Sequence, residues 1–130
     1  MFTCEESDNC LIIRLFNDKP ESDLIKSPLN ESIGQITGYI YKKIAIITSL
    51  YVDKLHRKQG LGIKLMNKFL KKVFELGAVH AQLDDCSDNC CKNHNIYIKC
   101  GFKYVDYYDN LMAANIRTAL AHITIELNGN

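Results

Sequence analysis

Short β-patterned apolar runs mark the chain as far as Val52, then apolar residues recur every three to four positions, and the change of rhythm falls at Gly60. Leu11-Ile12-Ile13-Arg14-Leu15-Phe16 reads as a first strand, and a second is expected over about Ile33 to Tyr41. A third spans Ala45 to Val52. The Lys42-Lys43 pair marks a turn that makes the last two an antiparallel hairpin. The polar passage Asn17 to Ser32 holds both prolines, Pro20 and Pro28, and reads as loop with at most a helical turn near Glu21 to Lys26.

After Gly60, residues Leu61, Leu65, Met66, Phe69, Leu70, Val73 and Phe74 form an apolar stripe. Lys64, Lys68, Lys71, Lys72 and Glu75 take the other face, which defines a helix that Gly77 ends. Ala78 to Leu83 alternates again and reads as a strand parallel to Ala45–Val52, reached through the helix as a βαβ crossover. A polar, cysteine-rich loop from Asp84 to Cys91 leads to a short helix over about Lys92 to Lys99, with Gly101 placed as its C-cap. Phe102 to Tyr108 reads as a strand and Ala121 to Leu127 as the last one. Residues Asn110 to Ala119 fit a helical turn or a loop equally. The whole predicts one α/β domain over 1–130, with a mixed sheet of about six strands.

Composition narrows the setting. A chain of 130 residues, 47% hydrophobic, can bury one core. Its 16 basic and 15 acidic residues leave a net charge of +1, which argues against a nucleic-acid or anionic-membrane partner. The start, Met1 to Asp8, lacks the basic and apolar regions of a secretory signal. No apolar run approaches the roughly 18 residues that span a bilayer. A soluble, cytoplasmic protein with its six cysteines reduced is therefore expected. Cys86, Cys90, Cys91 and His94 have a C-x3-C-C-x2-H spacing that matches no common zinc pattern, so no metal is expected.

The candidate chemistry begins at Arg57-Lys58-Gln59-Gly60-Leu61-Gly62, between a strand and a helix. Helix N-termini present backbone N–H groups and the positive end of the dipole, which favours an anion such as a pyrophosphate. A plain tight turn uses the same glycines. The Gly-Lys-Ser/Thr ending of a nucleotide loop is absent, and a dinucleotide fold would need a third glycine and a downstream acidic residue.

The spacing Arg57-x-x-Gly60-x-Gly62 after the strand end Leu50-Tyr51-Val52 resembles the acyl-CoA signature of the GNAT superfamily of N-acetyltransferases. Asn95-Ile96-Tyr97-Ile98-Lys99-Cys100-Gly101-Phe102 is similar to that family's helix motif, a tyrosine four residues before a Gly-Phe pair. The resemblance implies the GNAT fold: two central parallel strands that splay apart, helices on both faces, and here a shortened N-terminal helical region. It implies acetyl-CoA as acyl donor, with its pantetheine arm along Leu50, Tyr51 and Val52. The pyrophosphate would lie on the amides of Gln59, Gly60, Leu61 and Gly62, with charge from Arg57 and Lys58. A finer resemblance lies in Leu83-Asp84-Asp85-Cys86, Lys92-Asn93 and Tyr97-x-Lys99-Cys100-Gly101-Phe102, which look like the glucosamine 6-phosphate N-acetyltransferases. The chain departs from them in extra residues between Cys86 and Asn93, and in Thr48 and Ser49, which stand where that family has acidic residues.

What the resemblance implies is direct attack of a neutral amine, on a small-molecule acceptor, at the acetyl thioester. Backbone N–H groups near Leu50 to Val52 would stabilise the oxyanion. Asp85 is the candidate to orient or deprotonate the amine, with Asp84 and His80 as substitutes; a strand-end carboxylate also commonly caps the next helix. Tyr97 would face the leaving thiolate. A phenol near about 10 protonates a thiolate near about 8.5 only uphill, by roughly 2 kcal/mol, so donation of a hydrogen bond suffices. Asn93 contacts CoA or acceptor, or caps its helix. Lys99, Lys103 and Arg117 are candidates for an acceptor phosphate. Acetyl transfer to protein or polyamine amines and a non-catalytic acyl-CoA-binding module are the alternatives. A homodimer paired through the final strand is a further expectation.

Overall fold

The alternating segments pair into one seven-stranded sheet in the order β1-β2-β3-β4-β5-β7-β6. The computed structural model describes residues 2–16, 32–53, 56, 60–84, 96–106 and 110–128. Strands β1 (Phe2–Ser7), β2 (Cys10–Leu15), β3 (Gly34–Tyr41) and β4 (Ile44–Val52) form an antiparallel meander. Helix α1 (Leu61–Glu75) crosses over to β5 (His80–Asp84), which runs parallel to β4 from Ile44↔His80 to Ile47↔Leu83. Helix α2 (Ile96–Lys99), β6 (Lys103–Asp106), β7 (Leu111–Asn115) and α3 (Ile116–Asn128) complete the described chain. The sheet is thus mixed, with the expected parallel pair, and the class is α+β.

One face of the sheet carries the core. Leu11, Ile13, Ile36, Ala45, Ile47, Ala81, Leu83 and Met112 share it by register, and α1 lays Leu65, Met66, Phe69, Leu70 and Val73 across them, all fully buried. Each such side chain contributes about 1.5–3 kcal/mol by leaving water. Close contact of α1 with β3 needs Gly38: a Cβ there would come within 2.6 Å of the Phe69 ring and 2.5 Å of the Ile46 carbonyl oxygen. Helix α3 packs on the same side against α1 and β7 through Ile116, Ala119 and Ile123, and α2 packs against α3. The polar passage expected as loop, Asn17 to Ser32, lies almost wholly outside the described residues.

The structure adds a strand and replaces another. Phe2–Ser7, for which no element was expected, pairs with β2 through the two-residue turn Asp8-Asn9, whose φ angles of 46° and 72° suit short polar residues. The Lys42-Lys43 turn has the same left-handed pair, φ 50° and 68°. The segment expected as the last strand, Ala121 to Leu127, is helix. Its alternation also fits the spacing Ile116, Ala119, Ile123, and Asn115 Oδ1 caps the first turn by accepting the Thr118 N–H at 3.1 Å. The undecided Asn110–Ala119 divides into β7 and the start of α3. The segment expected to pair across a dimer is therefore helical among the described residues. Gly77 (φ 106°) and Gly101 (φ 91°) end their helices as expected.

Among the described residues no helix is long and apolar enough to cross a membrane. Cys4, Cys10 and Cys100 are free thiols, and burial pushes the Cys100 thiol up to about 12. The described residues hold no metal-binding group of three His, Cys, Asp or Glu, while the Cys86–His94 cluster lies outside them.

Candidate active site

The site begins where β4 and β5 part. Their ladder ends at Ile47↔Leu83, while β4 runs on to Val52 beside β3 and β5 ends one residue later beside β7. The cause is a single residue. Thr37 pairs with Ser49 and Gly38 with Ile47, so Thr48 is an extra position on β4, a β-bulge that bends the strand away. Burial records the step: Ala45 and Ile47 face the core below it, and Leu50 and Val52 above it.

The opened fork holds a cleft of about 210 Å³ lined by Leu50, Tyr51, Val52, Gly62, Ile96 and Tyr97. Two expected motifs, distant in sequence, thus meet in one place. Gly62 is buried there, and a Cβ on it would come within 2.6 Å of Ile96 Cδ1, so glycine keeps the wall thin. Tyr97 is half-buried and sits edge-on to Phe102, ring centroids 6.5 Å apart at 67°. Its carbonyl accepts the N–H groups of Cys100 at 3.1 Å and Phe102 at 3.0 Å, which ties the helix end to the turn after it.

Gly60 precedes α1 with φ 76° and ψ 10°, a left-handed conformation that glycine adopts without strain. Among the described residues no side chain caps this N-terminus, and its first turn holds no acidic residue. The positive end of the helix therefore lacks an internal carboxylate partner there, as an anion site requires. Leu61 lies half-buried at the helix start. A clasp that sequence reasoning missed ties His56 to the end of β4. Asp53 donates its N–H to the Ile33 carbonyl at 2.7 Å, accepts the His56 N–H at 2.8 Å, and holds His56 Nδ1 by its carboxylate at 3.0 Å. Its signal in the sequence was the Asp-x-x-His spacing of a tight turn.

Other expected residues fall elsewhere. Asp84 is exposed at the open end of β5, beside the fork. His80, the other expected substitute for Asp85, starts β5 and pairs with Ile44, three residues or about 10 Å below the fork. Arg117 follows Asn115, which pairs with His80, and is likewise at the far end. Lys99 and Lys103 are exposed. Asp85, Asn93, Arg57, Lys58 and Gln59 lie outside the described residues. Also missed were the hydroxyls of Thr37, Thr48 and Ser49, which meet at the bulge: Thr37 Oγ1 is 2.7 Å from each of the other two.

Residues 3–102 match the family model for the acetyltransferase (GNAT) family. No curated protein matches the chain by sequence. Among solved structures, the chain is similar to Tetrahymena GCN5, with a TM-score of 0.60 and 19% identity over 85% of this chain and 70% of that one. It is similar to the PaiA N-acetyltransferase of Thermoplasma acidophilum in complex with coenzyme A, with a TM-score of 0.65 and 22% identity over 82% of this chain and 61% of that one. An aminoglycoside 6'-acetyltransferase type Ii aligns with a TM-score of 0.62 and 21% identity over 85% and 71%. At these identities the likeness shows the fold.

Proposed function

The chain belongs to the acetyltransferase (GNAT) family, and from that premise we propose that it moves an acetyl group from acetyl-CoA to the primary amine of glucosamine 6-phosphate. The observation that carries the transfer is the fork, with a cleft joining Leu50–Val52 to Gly62 and Tyr97 beside a helix N-terminus that no described side chain caps. An acyl thioester needs such a path, apolar along its arm and anion-binding at one end. Pantetheine lies along Leu50, Tyr51 and Val52, and the pyrophosphate on the amides from Gln59 to Gly62, with Arg57 and Lys58 adding charge and Asn93 a polar contact.

In the reaction the amine lone pair attacks the thioester carbon. The C–N bond forms, an oxyanion develops against backbone N–H groups, and the C–S bond then breaks. Tyr97 donates a hydrogen bond to the departing sulfur, and Asp85 orients the amine. The amino-sugar acceptor is supported by the ordered Leu83-Asp84, Lys92-Asn93 and Tyr97-x-Lys99-Cys100-Gly101-Phe102 pattern. The fold likeness to an aminoglycoside acetyltransferase agrees with a sugar amine.

Thiol release from acetyl-CoA in the presence of glucosamine 6-phosphate, a peptide amine or spermidine tests the reading. The expected result is turnover with the amino-sugar phosphate at a kcat/KM well above the others. Preference for the peptide or spermidine would replace the acceptor, and acetyl-CoA binding without thiol release would replace catalysis by a binding role.

A further inference from the structure

The described sheet has two edges, β1 and β6, and they are built differently. β6 is four residues long, carries Lys103, and shifts register between Tyr104 and Asp106, devices that keep an edge from pairing with another chain. β1 has none of them: Phe2–Ser7 contains no lysine or proline, and its register with β2 is unbroken. Its charges are already paired. Glu5 binds Arg14 at 2.7 Å, and Glu6 binds Lys72 of α1 at 2.9 Å. The turn at Asp8-Asn9 fixes which way the backbone points. In a two-residue hairpin the flanking pair, here Ser7↔Cys10, exchanges hydrogen bonds, so the backbone groups of Thr3, Glu5 and Ser7 face β2. Those of Phe2, Cys4 and Glu6 therefore face the open edge, beyond which no described strand lies. Helix α1 lies over β2, β3 and β4, and Lys68 and Lys72 reach from it to β1.

We infer that β1 is a dimer interface, pairing antiparallel with β1 of a second copy of this chain about a two-fold axis at Cys4. The outward backbone groups select the register. Phe2 stands opposite the partner's Glu6, Cys4 opposite the partner's Cys4, and Glu6 opposite the partner's Phe2, each pair exchanging both of its N–H···O bonds. A slip of one residue would set outward groups against inward ones, and a slip of two would leave an end pair unmade. The side chains agree with this register. Lys68 Nζ stands 5.1 Å from the centre of the Phe2 ring. The partner's Glu6 comes directly opposite Phe2, with Cβ atoms about 5 Å apart, so Lys68 gains a carboxylate across the interface. The two-fold axis repeats that contact, and the two sheets become one. β2 and β3 separate the interface from β4, so both clefts stay open and the pairing holds whatever the acceptor.

Sedimentation equilibrium of the full chain tests the pairing. The expected mass is twice 14.8 kDa, and a monomer at the highest soluble concentration overturns the inference. A short bis-maleimide is expected to join Cys4 to the partner's Cys4, identified by peptide mass mapping, because paired Cα atoms lie about 5.5 Å apart. A dimer without that link overturns it. Cys4→Pro removes an outward N–H and no bond to β2, and Lys68→Glu sets two carboxylates together across the interface. Each is expected to raise the Kd of the dimer at least about tenfold with the circular dichroism of the chain unchanged, and Glu6→Lys added to Lys68→Glu is expected to restore it. A wild-type Kd in either variant places the contact elsewhere and overturns the inference. Should Cys4→Pro fail to fold, Lys68→Glu on the exposed face of α1 decides alone.

Discussion

The two halves of β4 differ in almost everything except the chain that joins them. Ile44 to Ile47 is paired on both sides, with β3 and β5, and its Ala45 and Ile47 are 0% and 6% exposed. Thr48 to Val52 keeps β3 but has left β5, and three of its five residues are exposed. A central strand is ordinarily the most stable part of a sheet, because both edges of its backbone are satisfied by neighbours. Here the lower half serves as a rigid post, and the upper half becomes a cleft wall by giving up one neighbour. One inserted residue, Thr48, separates the two behaviours.

Deleting Thr48 is the strongest way to break that difference. The pairs Gly38↔Ile47 and Thr37↔Ser49 would become consecutive, so the ladder runs on and every later residue keeps its face. The sheet is expected to remain, by circular dichroism, while the fork closes. Turnover of acetyl-CoA then falls by at least about 1000-fold, since a misplacement of even about 1 Å in an active site can cost about a hundredfold. The opposite change belongs to the lower half. Ile47→Ala removes buried surface from the post and is expected to cost about 3 kcal/mol in denaturant unfolding, with the KM for acetyl-CoA unchanged in the protein that remains folded. A large KM change there would mean that the halves are not separable.

Sequence reading fared differently in the two halves for the same reason. The lower half was legible because Ala45, Ile47, Ala81 and Leu83 alternate as buried parallel strands do, and the apolar stripe of α1 fixed the crossover. The meeting of Gly62 with Tyr97 was legible as motif spacing. The bulge was not: Thr48-Ser49 continues a β-branched, polar run and carries no glycine, so nothing local marks the extra residue. The hydroxyl triad depends on that register step and stayed hidden with it. Ala121–Leu127 failed for another reason. Thr124 and Ile125 favour strand, but the Asn115 cap and packing on α1 outweigh that weak preference, and the Thr124 hydroxyl is absorbed by the Leu120 carbonyl at 2.9 Å.

Tyr97 sharpens the comparison from across the cleft. It faces the upper half of β4 but is held from below, by Phe102 and by the N–H groups its carbonyl accepts. Tyr97→Phe keeps that support and removes only the hydroxyl. The kcat is expected to fall by about 10- to 100-fold with KM for acetyl-CoA within about twofold, as loss of an interaction made in the transition state requires. A kcat equal to that of the wild type would remove Tyr97 from the chemistry.

The smallest effects belong to the two loop glycines, which are needed for different reasons. Gly60 has open space around its missing Cβ but a φ of 76°, so Gly60→Ala meets only backbone strain, about 1 kcal/mol. Gly62 is helical, with ordinary backbone angles for α1, but its missing Cβ faces Ile96 Cδ1 at 2.6 Å. At Gly60 the loss is therefore expected in thermal stability, a few degrees of melting temperature, and asparagine, which tolerates the left-handed region, should lose less than alanine. At Gly62 the loss is expected in the cleft. Gly62→Ala pushes the Ile96 side chain aside and raises KM for acetyl-CoA a few-fold, about the effect of one misplaced methyl group. Ile96→Val removes the atom that the new methyl group would strike, and should restore that KM when combined with Gly62→Ala without rescuing Gly60→Ala. Rescue of both by Ile96→Val would mean that crowding against α2, and not the left-handed turn, limits the whole loop.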